Sequence, residues 1–203
     1  MTGSGVGRTG NITGVVLAGG KSLRMGRDKI LLPIEGSPLI AHILRRMSSI
    51  FPEVLVVGHH RPEFEALGIN THPDIIPDSG VLGGLYTGLI LSKTPFIFAA
   101  AGDMPFLDPD LIIETAALRE GNDAVVPRGP KGLEPLFAVY SRSCLEPFLK
   151  RIEQRRLKVM EALDGMKVAS PEIGPGSSAE KDPFTNINTL DDMAVLGSPT
   201  EPD

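Results

Sequence analysis

The residues best suited to chemistry gather in one string near the start, Leu17-Ala18-Gly19-Gly20-Lys21-Ser22-Leu23-Arg24-Met25-Gly26-Arg27-Asp28-Lys29, directly after the β-type run 12–18. Glycines without a Cβ let backbone N–H groups come close to a ligand, and four cations, Lys21, Arg24, Arg27 and Lys29, can neutralise phosphate oxygens. A second chemical group lies far along the chain: Asp103 follows Gly102 at the carboxyl end of the apolar run 96–101. Its oxygen suits Mg2+, which takes few carboxylates together with phosphate oxygens and water. Such a set would hold a metal-bound nucleoside triphosphate. Each part also has a plainer reading. A Gly-Gly-Lys loop fits a turn with solvated charges, and an Asp just past a strand fits a turn or a helix cap. Asp78, in Pro77-Asp78-Ser79-Gly80, fits a loop aspartate near a helix start, where the helix dipole favours negative charge.

Spacing excludes other site types. Gly20-Lys21-Ser22 has the ending of a P-loop, but the leading Gly would fall at Val15, inside the strand. Gly5-Val6-Gly7-Arg8-Thr9-Gly10 spells a dinucleotide-type pattern, yet no strand precedes it and no helix directly follows, so it is accidental. His42, His59, His60 and His72 show no metal spacing with Cys or Glu, and no Gly-x-Ser-x-Gly elbow occurs. His59-His60, after the second strand, reads first as a solvated loop, with a place near the nucleotide base as the lesser alternative.

The elements that must position these groups alternate between β-type runs and helical patterns: 12–18 then 37–50, 54–58 then 62–67, 96–101 then 109–119. Alternation of this kind predicts an α/β fold, a Rossmann-like three-layer sandwich with a mostly parallel central sheet and helices on both faces. Ligands of such sheets sit outside the carboxyl ends of the strands, so the glycine loop and Asp103 are expected at one edge. Ser37 is expected to cap a helix with Pro38 in its first turn, and Leu39, Ile40, Ile43, Leu44 and Met47 form its apolar stripe. Asp108-Pro109 opens the next helix and Gly121 closes it.

Strands are expected at 123–127 and 133–140, helices around Leu145, Phe148, Leu149 and Ile152 and over 158–163. The Gly-, Pro- and Ser-rich stretch 171–183 reads as a mobile loop, and Thr189-Leu190-Asp191-Asp192 as the cap of a last short helix. Residues 1–11 and 197–203 read as flexible tails around one domain, 12–196.

Composition narrows the function classes. With 25 acidic against 20 basic residues, 5% aromatics and no basic run, the chain lacks the footprint of a nucleic-acid binder. Its longest apolar stretch, 96–101, falls far short of the ~18 residues of a membrane helix, so no membrane contact is expected. Arg8 ahead of the first strand imitates a secretory leader, but Thr13 and Gly14 interrupt the apolar core. The single Cys144 cannot form an intramolecular disulfide and is expected to pack as a small apolar residue in a cytoplasmic protein.

The thirteen-residue loop string resembles the L-A-G-G-x-S-x-R-M-G-x-D-K signature of nucleotidyltransferases, specifically the molybdenum cofactor guanylyltransferases. Related cytidylyl- and sugar-phosphate-transferring enzymes usually carry L-A-A-G, so Gly19 leans towards the guanylyl branch. Ala101-Gly102-Asp103-Met104-Pro105 is similar to the family's metal-binding Asp string. Residues 78–85 resemble its D-x-x-x-x-G-P-L-G-G-I stretch, with Val81 in place of Pro. Glu134-Pro135-Leu136-Phe137-Ala138-Val139-Tyr140 and Phe184-Thr185-Asn186-Ile187-Asn188-Thr189 resemble two further family strings, with Leu190 where Pro is common.

The resemblance implies transfer of GMP from GTP to the terminal phosphate of molybdopterin, with release of pyrophosphate. It implies Mg2+ on Asp103, catalytic roles for Arg24, Lys29 and Asp103, and nucleotide contacts from Leu17, Ala18, Gly19, Gly20, Lys29, Asp78 and Asp103. Asn186 and Asn188 would face the pterin. Transient contact with cofactor-delivery proteins or molybdoenzymes is implied as well. A cytidylyl- or sugar-phosphate nucleotidyltransferase of the same fold and a non-catalytic GTP-binding regulator remain the alternatives.

Overall fold

The computed structural model describes residues 9–19, 29–34, 36–173 and 182–185, without the side chain of Lys29. In chain order its strands are Ile12–Leu17 (β1), Pro33–Ile34 (β2), Ser37–Pro38 (β3), Val54–Val57 (β4), Thr71–His72 (β5) and Phe96–Ala101 (β6). Ala124–Val125 (β7), Arg128–Gly129 (β8), Gly132–Leu133 (β9), Phe137–Ser141 (β10) and Val168–Ala169 (β11) follow. Seven form one sheet in the order β11-β7-β10-β6-β1-β4-β5. All its pairings are parallel except those of β10, which runs antiparallel to β6 and β7. The expected mostly parallel, Rossmann-like sheet is thus the one that forms.

The helices are Leu39–Ile50 (α1), Pro62–Ala66 (α2), Gly80–Leu91 (α3), Pro109–Ala117 (α4), Leu145–Glu153 (α5) and Val159–Ala162 (α6). Leu39, Ile43 and Met47 of α1 and Leu111 and Ile112 of α4 pack with Val16 and Phe98 on one side of the sheet. Leu82, Leu85 and Leu89 of α3 and Phe148 and Ile152 of α5 pack with Val15 and Ile97 on the other. Val15 and Val16 feed opposite cores because side chains alternate along a strand, and helices on both faces explain why β1 is apolar on both. A Cβ on Gly88 of α3 would stand 2.9 Å from Val15 Cγ1, so a residue that costs a helix about 1 kcal/mol relative to Ala lets α3 lie close on the sheet.

Asp108 caps α4 as expected, its Oδ1 accepting from the N–H groups of Asp110 (2.9 Å) and Leu111 (3.4 Å), and Gly121 takes φ 73° in the turn beyond its end. Ser37 does not cap α1. It pairs with Ile34 in the β2–β3 hairpin, and Leu39 N–H goes to Leu32 O at 2.9 Å, so α1 begins after Pro38 without a side-chain cap. The stretch 133–140 breaks around Pro135, which has no N–H for a ladder. Its first part pairs with β8 and its second becomes β10. The expected strand 123–127 pairs only as β7.

Two residues read as tail are held by the fold: buried Thr9 donates to Ile50 O at 2.6 Å, and Asn11 Oδ1 accepts from Arg119 Nε at 3.0 Å. Within the loop 171–183, Glu172 bridges to Arg128 beside β8, and Ile173 N–H donates to Arg128 O at 3.0 Å. Cys144 is buried against Tyr140 and Phe148, as expected. Residues 189–192 lie outside the described residues. Among the described residues no helix is long and apolar enough to cross a membrane.

Candidate active site

Strand register builds the site. Leu17 is the partner of Ala101 on one side and of Val57 on the other, so β6, β1 and β4 end level. One step further, Gly102 N–H donates to Leu17 O at 2.9 Å and Ala18 N–H to Val57 O at 2.8 Å. Ala18-Gly19, Gly58-His59 and Gly102-Asp103 therefore leave the sheet side by side at its carboxyl edge. The start of the glycine loop and Asp103 share that edge. A Cβ on Gly58 would lie 2.7 Å from the carbonyl carbon of Ala18 and 2.8 Å from its oxygen, an approach that no other residue permits.

A cavity of about 420 Å³ opens here, between the ends of β1, β4 and β5 and the start of α3. Leu17, Val57 and Gly84 give it an apolar side, while Gly19, His59, Asp74 and Asp78 line it with polar groups. Asp78 is exposed and adopts φ 56°, a left-handed conformation that Asp tolerates. Asp74 had not been singled out in the sequence. It is half-buried, and burial raises its carboxyl above the usual range while the nearby His59 pulls the other way. The signal that could have found Asp74 is its place just past β5, at the same carboxyl edge. His59 is exposed as expected, but it also lines the cavity, and His60 pairs with Glu65 at 3.7 Å on the surface.

Asp103 does not line this cavity. In the order β10-β6-β1-β4-β5 it stands on the β6 flank, the cavity on the β4 and β5 flank, with Ala18 and Gly19 between. Two inter-strand spacings, about 10 Å, separate β6 from β4. Asp103 is half-buried. Among the described residues no group of three acidic, His or Cys side chains forms a metal cage. A single hard carboxylate at the edge fits Mg2+ bound chiefly through phosphate oxygens.

Lys29 opens a short 3-10 turn whose Ile30 is buried, its Cγ2 placed 3.7 Å from a Cβ built on Gly102, so the end of the glycine loop returns to the Asp103 flank. Beyond β6, Ala101 N–H donates to Leu136 O at 3.1 Å, which sets Glu134 and Pro135 near the same edge. Burial, then the charge of Asp182, raises the Glu134 carboxyl, with Lys131 opposing. Phe184 packs edge-on against Phe137 at 5.3 Å between ring centroids, so the segment leading to Asn186 and Asn188 starts on this flank. Gly20, Arg24, Asn186 and Asn188 themselves lie outside the described residues.

A seven-stranded, mostly parallel sheet with the start of the glycine loop and a carboxylate on one edge is the frame of the Rossmann-like nucleotidyltransferases. The family model described as a MobA-like NTP transferase domain matches residues 14–166, and the chain belongs to that family. It is 33% identical over 183 residues to a probable molybdenum cofactor guanylyltransferase of Pelotomaculum thermopropionicum, covering 89% of each chain. A protein of the same description from Thermococcus sibiricus is 35% identical over 192 residues, covering 90% of this chain and 96% of its own. Molybdopterin-guanine dinucleotide biosynthesis protein A of Archaeoglobus fulgidus superposes with a TM-score of 0.75 at 26% identity, covering 91% of this chain and 96% of that one.

Proposed function

We propose that the protein transfers GMP from GTP to the terminal phosphate of molybdopterin, releasing pyrophosphate and forming molybdopterin guanine dinucleotide, in the cytoplasm and with Mg2+. The observation that carries this reading is the level ending of β4, β1 and β6, which sets the cavity, Ala18-Gly19 and Asp103 along one edge. A nucleoside triphosphate spans such a row with its base in the cavity and its phosphates passing Gly19 towards Asp103.

The half-buried carboxylate of Asp74 suits guanine, whose N1–H and N2–H groups lie side by side and can both donate to it. Asp78 stands at the mouth of the same cavity. Backbone N–H groups of Gly19 and Gly20 would cradle phosphate oxygens, and Arg24 and Lys29 would neutralise them. Asp103 would hold Mg2+, which when bound supplies charge neutralisation at the reacting phosphate. The acceptor phosphate is already largely ionised near neutral pH, so displacement calls for alignment and charge stabilisation rather than a general base. The pterin would meet Asn186 and Asn188 on the flank where Phe184 packs. Contacts with proteins that deliver the pterin or receive the finished cofactor would be transient.

Pyrophosphate release with GTP, CTP or UTP, each with and without molybdopterin and Mg2+, tests this. Release only with GTP, molybdopterin and the metal together is expected. Release with CTP or UTP would assign the chain to another branch of the fold, and GTP binding without release under any condition would make it a non-catalytic binder.

A further inference from the structure

The geometry points to Arg61 as a positioning residue for the phosphate loop, acting through the Ala18 carbonyl without touching the nucleotide. The inference rests on the proposed use of Gly19 as a phosphate ligand.

Arg61 closes the link Gly58-His59-His60-Arg61 between β4 and α2. Its own carbonyl accepts from the N–H groups of Phe64 (3.0 Å) and Glu65 (3.2 Å), which starts α2, with Pro62 at the first helical position. The side chain then turns back across the fully buried Phe64, its guanidinium carbon 5.3 Å from the ring centroid, and Nη2 donates to Ala18 O at 3.3 Å. Burial works against the charged guanidinium, lowering its pKa, with Glu63 opposing. A cation so placed gives up hydration for contacts that include the Ala18 carbonyl and the Phe64 ring face, and the carbonyl contact fixes the geometry of the loop start.

What it fixes follows from the planarity of the peptide bond. In a trans peptide the N–H points opposite to the preceding C=O, so holding Ala18 O sets the direction of the Gly19 N–H, at a residue that lines the cavity. Ala18 N–H is held from the other side by Val57 O at 2.8 Å, and Gly58 packs against the Ala18 carbonyl. β4 and Arg61 thus clamp the first turn of the loop from both ends of one residue. A charged donor on Ala18 O also polarises the peptide and makes the Gly19 N–H a stronger donor to a phosphate oxygen.

The test compares GTP with guanosine by calorimetry, alongside thermal melting, in Arg61→Met, which keeps the stem over Phe64 and removes the donor. Guanosine affinity within twofold of the parent and GTP affinity lower by about tenfold are expected, with Arg61→Lys recovering part of the loss. Equal weakening of both ligands, or GTP binding within twofold of the parent, would overturn the assignment. If the Met variant does not fold, Arg61→Leu, which also lacks a donor, carries the same comparison with the same expected outcome. If the parent prefers another triphosphate, the guanylyl reading fails, and that nucleotide with its nucleoside decides the role of Arg61 separately.

Discussion

Gly102 donates its N–H to the carbonyl oxygen of Leu17 at 2.9 Å, one step past the last paired residues of β1 and β6. That bond ties the residue before Asp103 to the residue before Ala18, so the carboxylate and the start of the glycine loop leave one edge of the sheet together. If Asp103 holds the metal, Asp103→Ala lowers pyrophosphate release by ~10² or more, the size of effect seen when one preorganised electrostatic contact is lost. The strand pairing that positions Asp103 involves only main chain and survives the change, which a thermal melt of the variant checks. Turnover near the parent level in a steady-state assay would remove Asp103 from the mechanism.

Gly58 makes a separate prediction about the same edge. A Cβ there meets the carbonyl carbon of Ala18 at 2.7 Å, its oxygen at 2.8 Å and Gly19 N at 3.0 Å, all of them backbone atoms with little room to yield. Gly58→Ala is expected to destabilise the fold by about 1–3 kcal/mol and to weaken GTP binding by displacing the Ala18–Gly19 peptide. Denaturant melts and calorimetry on one preparation measure both. A variant with unchanged stability and affinity would show that the loop start tolerates displacement.

The centre of the sheet was legible because β6 is a continuous apolar run and β1 ends in one, Val15-Val16-Leu17, and the glycine loop was legible because its cations follow a strand directly. Elements set by tertiary pairing were not. Ser37 carries a capping side chain, yet the hairpin through Ile34 and Ser37 places it in a strand. Pro135 divides a run whose hydrophobicity alone reads as one strand. In the cavity, Asp78 is marked in the sequence by the glycines beside it, whereas Asp74 follows a strand of only two residues, and sheet order brings Leu17, Val57, His59 and Gly84 around it. Thr9 and Asn11 are polar residues in a glycine-rich start, and their partners, Ile50 and Arg119, are far away in sequence.

Lys29 follows the loop and returns to the flank where Ile30 packs near Gly102. If it neutralises the outer phosphates, Lys29→Ala weakens GTP binding much more than GMP binding, because only the former carries the charge it would meet. Calorimetric titrations with both nucleotides measure the ratio, and equal losses would place Lys29 away from the phosphates.

Asp74 predicts a pH dependence. Only the ionised carboxylate accepts from both donors of guanine, and burial raises the Asp74 carboxyl above its ordinary value, with His59 opposing. GTP affinity therefore starts to fall at a higher pH on acidification than an ordinary aspartate would impose, and is full above that range. Asp74→Asn, with one acceptor in place of two, lowers kcat/KM for GTP by roughly ten- to a hundredfold at neutral pH and flattens the acidic limb. An Asn variant with the parent's pH profile would assign the limb to another group.

Cys144 offers a probe of opening in the core beneath β10 and α5. The thiol is fully buried, its Sγ donates to Asp123 O at 3.2 Å, and burial together with the charge of Asp123 pushes its pKa up to about 12. At pH 8 the thiolate fraction in the folded protein is then ~10⁻⁴, and the thiolate is the reactive form. A disulfide reagent should leave the native protein unmodified over hours and titrate one thiol at once in denaturant. With opening as the required step, the native labelling rate follows the local opening free energy of this core, and it should slow little when a nucleotide occupies the cavity, since Cys144 lies away from it. Labelling within seconds without denaturant would mean that this side of the sheet opens freely, and that Cys144 is not the inert packing residue its burial makes it.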